Sequence, residues 1–331
     1  MRALVTGATG FVGGHLVEAL VRRGDEVTAL VRSPGKAAPL ERLGVRLVSG
    51  DLHRADALAE AVRNQDVVYH VAGLVAARTG EEFFRANREG TENLVAALRR
   101  FGPPSVRLVL VSSLAAAGPA ERGRPLTGAE PPRPVTTYGR SKLAAEEAVM
   151  ASDLDWRIVR PPMVYGPRDT EVFKVFRLAR RGVVPVFGDG SQELSAIFGP
   201  DLAEALVAVG LSPAARGRIY HACHPEIFTS RQFVLAVAAA LREVGAAATP
   251  AVRLLPLPRP VALGALALTA AAAWAAGKAT ILTPDKAAEF FQPAWTGDPG
   301  PLMHHTGWAP QHDLTLGLGV TARWYREHGW L

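Results

Sequence analysis

The stretch Arg2-Ala3-Leu4-Val5-Thr6-Gly7-Ala8-Thr9-Gly10-Phe11-Val12-Gly13 runs from an apolar β-type segment into a helical pattern. Gly7 lets the strand turn sharply, Gly10 lets backbone N–H groups approach a pyrophosphate, and Gly13 lets helix and strand pack closely. The alternative is a glycine-rich turn without a ligand, but the position between strand and helix favours a dinucleotide loop of variant spacing. The predicted cofactor contacts here are Gly7, Thr9, Gly10, Phe11, Val12 and Gly13.

Apolar β-type runs alternate with helical patterns along the first two thirds of the chain. This pattern predicts an α/β fold, a Rossmann doubly wound parallel sheet of about seven strands, with ligands at the carboxyl ends of the strands. The expected strands lie near 2–6, 26–31, 45–49, 66–71, 106–112, 156–160 and 218–222.

Proline and glycine interrupt the alternation after residue 160, where a second region begins. We predict an NADP-binding Rossmann domain from 1–160 and 192–228. A smaller, interleaved C-terminal substrate-binding region takes 161–191 and 229–331, with a cleft between the two. The Pro-, Gly- and Arg-rich stretch 119–135 is expected to form a mobile loop.

Composition narrows the class of protein. A chain that is 48% hydrophobic and 21% charged is not disordered, and the single cysteine, Cys223, rules out an intramolecular disulfide framework. With no charged-then-apolar leader before the first strand, we expect a cytoplasmic protein. The net charge of +6 is spread over predicted helix faces, so we expect no nucleic-acid partner.

The run from Pro260 to Gly277 contains 18 residues without a charge, half of them alanine. It is shorter than the roughly 20 residues that a membrane span requires. We interpret it as a buried or lid helix with Leu263, Leu266, Ala270 and Trp274 on one face. Peripheral membrane contact is the less favoured alternative.

Residues after the second and third strands bear on the choice of cofactor. An NAD site would hold a carboxylate after the second strand, whereas this chain has Arg32, with Lys36 close behind. A guanidinium suits a 2′-phosphate, so NADP is preferred over NAD, unless Arg32 merely faces solvent. Asp51 could accept from the adenine amino group, and Leu52 could pack against the ring.

Tyr138 and Lys142 lie four residues apart and so share one helix face. An ammonium beside a phenol is expected to lower the phenol's pKa, which suits proton donation to a carbonyl oxygen during hydride transfer. A strand ending in Ser112 and Ser113 precedes this pair and supplies a hydroxyl for the same oxygen. Ser113 is favoured and Ser112 is the alternative.

These motifs, taken in order, resemble the extended short-chain dehydrogenase/reductase family, also described as the NAD(P)-dependent epimerase/dehydratase family. The resemblance is closest to its 3β-hydroxysteroid dehydrogenase-like and dihydroflavonol reductase-like members. It spans nearly the whole chain. The matching segments are Thr6–Gly13, Asp51-Leu52, His70-Val71-Ala72-Gly73, Asn87 to Asn93, Ser112-Ser113, Tyr138 to Lys142, Arg160 to Pro167 and Gly307 to Pro310.

The resemblance implies roles for single residues. Tyr138 would be the acid-base, Lys142 would lower its pKa and hold the nicotinamide ribose, Ser113 would orient the carbonyl, and Asn87 would support a proton relay. His70 is interpreted as a packed, hydrogen-bonded side chain. The further predicted cofactor contacts are Ala72, Gly73, Pro161, Met163 and Val164. Relatives often dimerise through a four-helix interface, which here would use 85–100 and 138–151.

Departures from the family pattern indicate the class of substrate. Nucleotide-sugar members usually carry Asn where this chain has Met163, and the segments Val261 to Trp274, Phe290-Phe291 and Trp295 are apolar. They suit a steroid-, flavonoid- or lipid-like small molecule, although they could equally fill the core.

Three hypotheses follow: an NADP(H)-dependent oxidoreductase of an apolar carbonyl or alcohol, a nucleotide-sugar epimerase or dehydratase, and a non-catalytic NADP-binding regulator. The histidines at 304, 305 and 312 lack the spacing of a metal site, so we predict no metal.

Overall fold

The computed structural model describes residues 1–33, 35, 37–249 and 251–331. Its strands are β1 (Arg2–Thr6), β2 (Glu26–Val31), β3 (Arg46–Ser49), β4 (Val67–His70), β5 (Arg107–Val111), β6 (Asp155–Arg160), β7 (Met163–Tyr165), β8 (Val183–Phe187), β9 (Glu193–Leu194), β10 (Ala196–Phe198), β11 (Arg218–His221), β12 (Phe228–Thr229), β13 (Arg253–Leu257) and β14 (Ala294–Trp295).

Helices connect these strands. The α-helices are α1 (Phe11–Arg22), α2 (Ala38–Arg42), α3 (Ala55–Ala61), α4 (Gly80–Phe84), α5 (Gly90–Phe101), α6 (Leu114–Ala117), α7 (Thr137–Met150), α8 (Thr170–Arg180), α9 (Gly199–Leu211), α10 (Ser230–Glu243), α11 (Arg259–Ala275), α12 (Ala287–Phe290), α13 (Gly300–Thr306) and α14 (Leu314–Glu327). A π-helical turn, Arg85–Glu89, joins α4 to α5.

Seven parallel strands form the central sheet in the order β11-β6-β5-β4-β1-β2-β3. The predicted doubly wound α/β sheet is therefore confirmed. The chain moves outward from β1 in one direction through β2 and β3, then restarts beside β1 with β4. The carboxyl ends of β1 and β4 thus flank the switch point, where ligands bind in sheets of this kind.

Helices cover both faces of the sheet because its strands are apolar on both sides. In β5, Val109 and Val111 face the cluster that includes α1 and α9, whereas Leu108 and Leu110 face the cluster that includes α3, α5 and α7. These alternating side chains are almost fully buried. The two-sided burial fixes the sheet as the rigid support of the site.

A second core lies between α8, α10 and α14, with Phe176 and Tyr325 completely buried in it. Strands β7 and β10 pair beside this core, and β8 pairs with β13. Strand β9 pairs with both β12 and β14, so a small sheet draws on both predicted regions. The segment 119–135 is bound to the C-terminal tail by backbone hydrogen bonds such as Ala120 N–H to Ala294 O at 3.0 Å.

The sequence predicts that α11 is either a buried helix or a lid helix, and the structure excludes the buried form. Only Ala262 and Leu266 are buried in it, and Leu263 and Trp274, expected on the covered face, are 37% and 67% exposed. Most of this helix therefore faces outward, because few elements pack against it. Among the described residues, no helix is long and apolar enough to cross a membrane.

Candidate active site

The glycine loop lies at the switch point of the sheet. Gly7 has φ +73°, and a Cβ there would stand 2.7 Å from the backbone N of Ala72. A Cβ at Gly13 would stand 2.1 Å from Gly7 O, so α1 approaches the loop more closely than any side chain permits. Thr9 and Gly10 are exposed, and no side chain caps the N-terminus of α1 at Gly10. These free N–H groups and the missing Cβ atoms fit a pyrophosphate.

Phe11 and Val12 are part-buried in the first turn of α1. Ala72 and Gly73 follow β4, and the backbone N–H of Ala72 donates to Thr6 Oγ1 at 3.2 Å. A Cβ at Gly73 would stand 2.9 Å from Asn87 Oδ1 and 3.5 Å from Lys142 Nζ. Gly73 therefore lies between the glycine loop and the side chains of Asn87 and Lys142.

Arg32 follows β2 directly and is exposed, and within the described residues no carboxylate lies within salt-bridge distance of its guanidinium. Lys36 lies outside the described residues. Asp51 Oδ1 accepts from the backbone N–H of His53 at 2.8 Å, so one of its oxygens already has a partner in the turn. Leu52 contacts Gly90 and the core, where a Cβ on Gly90 would stand 2.8 Å from Leu52 Cδ1.

Tyr138 lies in the first turn of α7, which Thr136 caps through its hydroxyl. Ser113 Oγ accepts from the backbone N–H of Ala115 at 3.1 Å and lies beside the Tyr138 phenol. Burial raises the pKa of Tyr138 to about 12, the neighbouring Ser113 hydroxyl opposes this rise, and the Glu289 carboxylate adds to it. The phenol therefore holds its proton at neutral pH.

Lys142 stands one turn further along α7, where its Nζ donates to Val111 O at 2.8 Å. Burial lowers its pKa to about 8, opposed by the Glu146 carboxylate. The sequence analysis expects the ammonium to lower the phenol's pKa, yet the pKa of Tyr138 is raised because burial outweighs the favourable contacts. The two side chains share a helix face, but Lys142 is held towards β5.

Asn87 is buried in the π-helical turn, and its hydrogen bonds link the segment after β4 to α7. Its Oδ1 accepts from the backbone N–H of Leu74 at 2.8 Å, and its Nδ2 donates to Leu74 O at 3.1 Å and to Ser141 Oγ at 2.9 Å. Ser141 Oγ in turn donates to Tyr138 O at 2.7 Å. These contacts make Asn87 a positioning residue for α7.

His70 is fully buried at the end of β4 and continues this chain of hydrogen bonds. Thr91 Oγ1 donates to Asn87 O, so it accepts from His70 Nε2 at 2.9 Å. His70 Nδ1 is then the acceptor for Thr6 Oγ1 at 2.7 Å. Burial lowers the pKa of His70 to about 3, and the Lys142 ammonium adds to the effect. A neutral imidazole thus links the glycine loop to the helix of Tyr138.

Ser112 faces away from the phenol and donates to the Glu146 carboxylate, which is completely buried. Arg160 at the end of β6 binds both oxygens of Glu146, with Nε to Oε1 at 2.9 Å and Nη2 to Oε2 at 2.6 Å. The geometry thus separates the two serines, with Ser113 towards Tyr138 and Ser112 towards a buried ion pair.

The residues around α12 cover the outer side of Tyr138. Asp285 Oδ2 accepts from the backbone N–H of Thr137 at 3.0 Å, and Glu289 accepts from Thr136 Oγ1 at 2.7 Å. Lys286 Nζ lies 5.3 Å from the centroid of the Tyr138 ring. The C-terminal region therefore contributes charged groups beside the phenol.

Apolar residues complete this edge. Pro161 is buried and its carbonyl accepts from the backbone N–H of Leu114 at 2.9 Å, while Met163 and Val164 are part-buried in β7. Trp295 packs with Leu114 and Ala117 beside Ser113. Other predicted pocket residues lie elsewhere: Phe290 stacks on Phe187, and much of Val261 to Trp274 faces outward.

Sequence reasoning missed the partners of the predicted residues. Glu146 is one such partner, and its spacing of four from Lys142 is the signal that could have placed both on the buried face of α7. The contacts of Thr91, Ser141 and Glu289 could not be read from the sequence, because they join residues that are 21, 54 and 153 positions apart.

We expect the stability of the protein to fall below about pH 6.5 through His70. The unfolded chain takes up a proton near the ordinary pKa of 6.5, whereas the folded imidazole resists protonation down to about 3. Within that window the free energy of unfolding drops by about 1.4 kcal/mol per pH unit. Urea unfolding at pH 7 and pH 5 should show a smaller loss for His70→Gln than for the wild type. The exposed His53, changed to Gln, should leave the difference unaltered.

Glu146→Ala should destabilise the fold by about 3–5 kcal/mol, because it leaves the Arg160 guanidinium buried without a counter-charge. The matched control is Glu92→Ala, which removes one partner of the exposed Arg88–Glu92 pair and should cost below about 1 kcal/mol. Urea unfolding midpoints and slopes give both values. Equal costs for the two variants would contradict the assigned importance of the buried pair.

Comparison with known proteins agrees with this geometry. The model of the NAD dependent epimerase/dehydratase family matches residues 3–223. The chain is 35% identical over 328 residues to a ceramide reductase of Caulobacter vibrioides, covering 99% of this chain and 95% of that protein. It is 32% identical over 203 residues to a 3-beta-hydroxysteroid dehydrogenase of Mycolicibacterium neoaurum, covering 56% of this chain and 54% of that protein.

Solved structures share the architecture along the whole chain. A dTDP-glucose 4,6-dehydratase double mutant of Streptomyces venezuelae, solved with NAD bound, superimposes with a TM-score of 0.78 at 25% identity. The match covers 100% of this chain and 98% of that one. With the family model spanning two thirds of the sequence and a full-length relative above 30% identity, the chain is an enzyme that belongs to the NAD-dependent epimerase/dehydratase family, the extended short-chain dehydrogenase/reductases.

Proposed function

We propose that this enzyme is an NADP(H)-dependent oxidoreductase that transfers hydride to or from the carbonyl or hydroxyl carbon of an apolar, lipid-like substrate. The observation that carries the proposal is the protonated Tyr138 phenol with the Ser113 hydroxyl beside it, at the sheet edge that the glycine loop shares. Two neighbouring hydroxyl groups are the kind of donors that suit a carbonyl oxygen.

The residues divide the chemistry between them. When bound, the nicotinamide dinucleotide supplies or accepts the hydride. Tyr138, whose pKa is raised by burial, keeps a proton to give to the substrate oxygen as negative charge develops there, and Ser113 donates a second hydrogen bond to the same oxygen. Lys142 would hold the nicotinamide ribose and place a positive charge near the phenol. The hydrogen bonds of Asn87 and His70 hold α7 and the glycine loop in fixed positions relative to each other.

Arg32 supports NADP over NAD. The side chain follows the second strand, where a cofactor's ribose lies in folds of this kind, and it is exposed and available to pair with a 2′-phosphate. Asp51 and Leu52 would border the adenine, and the glycine loop would hold the pyrophosphate. The solved dehydratase carries NAD, so the shared fold alone does not choose the cofactor.

The substrate class is supported by the names of the relatives. One is a ceramide reductase that matches along nearly its whole length, and another is a steroid dehydrogenase. Met163 and Trp295 are consistent with an apolar substrate, whereas a sugar diphosphate would want polar partners in the segment that holds Met163. A cytoplasmic location and a homodimer built from 85–100 and 138–151 stay predictions of the sequence.

Tyr138→Phe should lower turnover of a long-chain 3-oxo ester or a 3-ketosteroid by roughly 100-fold or more, because it removes the proton donor. The measurement is NADPH oxidation followed at saturating substrate. Tyr220→Phe is the control, since Tyr220 bonds the distant His305 at 3.1 Å and should leave turnover unchanged. A Tyr138→Phe enzyme with full activity would remove the proposed acid.

Arg32→Ala should raise the KM for NADPH about ten-fold and leave the KM for NADH nearly unchanged, as expected for the loss of one charged hydrogen bond. Initial rates with each cofactor provide the comparison. Arg216→Ala, an exposed arginine on the opposite edge of the sheet, should alter neither value. If the wild type favours NADH, or both KM values rise together, the assignment of NADP through Arg32 is wrong.

A further inference from the structure

Helix α11 and the strand before it present an apolar surface that the rest of the described chain does not cover. On the helix, Leu268 is 75% exposed, Trp274 67% and Val261 56%. Strand β13 adds Leu255, 50% exposed, and its partner β8 adds Val183, 45% exposed. We call these residues of α11, β13 and β8 the apolar platform. A contiguous exposed apolar patch is typical of a binding surface, and several of these residues lie on one helix.

The charges within the stretch of sequence that holds α11 and β13 have a single sign. Residues 244–284 contain no aspartate or glutamate, and their only charged side chains are Arg253, Arg259 and Lys278. Arg259 is the first residue of α11 and Lys278 follows its end. Cations therefore lie at both ends of a helix that is otherwise uncharged. An apolar face with basic ends complements a surface of acyl chains beneath anionic headgroups.

We propose that the apolar platform binds the surface of an anionic lipid bilayer, with α11 lying in the plane of the interface. The 17-residue helix is roughly 26 Å long, too short to span a bilayer but suited to lie along it. Trp274 near its end is the side-chain type that prefers the headgroup level. A second copy of the chain is a poorer partner, because each copy carries a net charge of +6 and the basic ends would face one another.

The apolar platform lies one helix away from the catalytic tyrosine. Helix α11 packs against α12, and Glu289 of α12 accepts a hydrogen bond from Thr136, two residues before Tyr138. A bilayer on this surface would therefore meet the side of the protein where the C-terminal region borders the active site. Binding to the bilayer does not depend on the proposed reaction and is tested separately from it.

The test is flotation of the full-length protein with phosphatidylcholine vesicles and with vesicles that also contain phosphatidylglycerol. We expect flotation with the mixed vesicles, weakening as salt rises, and much less with phosphatidylcholine alone. Leu268→Glu combined with Trp274→Glu should lower the partition coefficient at least about ten-fold, since each exchange removes a buried apolar side chain from the bound state. Arg259→Gln combined with Lys278→Gln should remove the preference for phosphatidylglycerol.

The matched control is Leu235→Glu, which places the same charge on the exposed face of α10, where Leu235 is 45% exposed. It should float like the wild type. All variants should retain the wild-type unfolding transition, because the changed side chains are exposed. Failure of the wild type to float, equal binding to both vesicle types, or equal loss in the control would overturn the proposal. So would a platform variant that turned a sedimenting dimer into a monomer, since the surface would then join two copies.

Discussion

The close approach of backbone to backbone at the glycine loop is the constraint on which the site depends. Gly7 lies against the backbone that follows β4, and Gly13 lies against Gly7 itself, at separations that a single Cβ would prevent. This contact brings the ends of β1 and β4 and the start of α1 together at the switch point of the sheet. The dinucleotide-binding loop can thus form only because glycine lacks a Cβ atom at these two positions. The sheet that supports the loop is buried on both faces.

Behind the loop, polar groups that would be costly to bury alone satisfy one another. One chain of hydrogen bonds runs from Thr6 through His70 and Thr91 to Asn87, and ends on the helix of Tyr138. A second group joins Ser112, Glu146 and Arg160. Because each member has its partners, these networks hold loop and helix in one arrangement, which hydride transfer requires.

The C-terminal region acts on the site in a different way. It contributes charged side chains beside Tyr138 through the residues around α12, and it exposes α11 to the surroundings. Leu268 and Trp274 of this helix are 75% and 67% exposed. The same region therefore borders the reacting centre on one side and presents an apolar surface on the other.

The amino-acid sequence by itself determined the parallel sheet, the glycine loop and the pairing of Tyr138 with Lys142 on one helix face, because these follow from local periodicity and short spacings. Only the tertiary structure decided the pKa directions of Tyr138 and Lys142, the separation of Ser112 from Ser113, and the exposure of α11. Burial and hydrogen bonding depend on residues that are distant in the chain, such as Glu289 beside Tyr138. Periodicity identifies an apolar helix, but whether anything covers it depends on which distant segments pack against it in the folded chain.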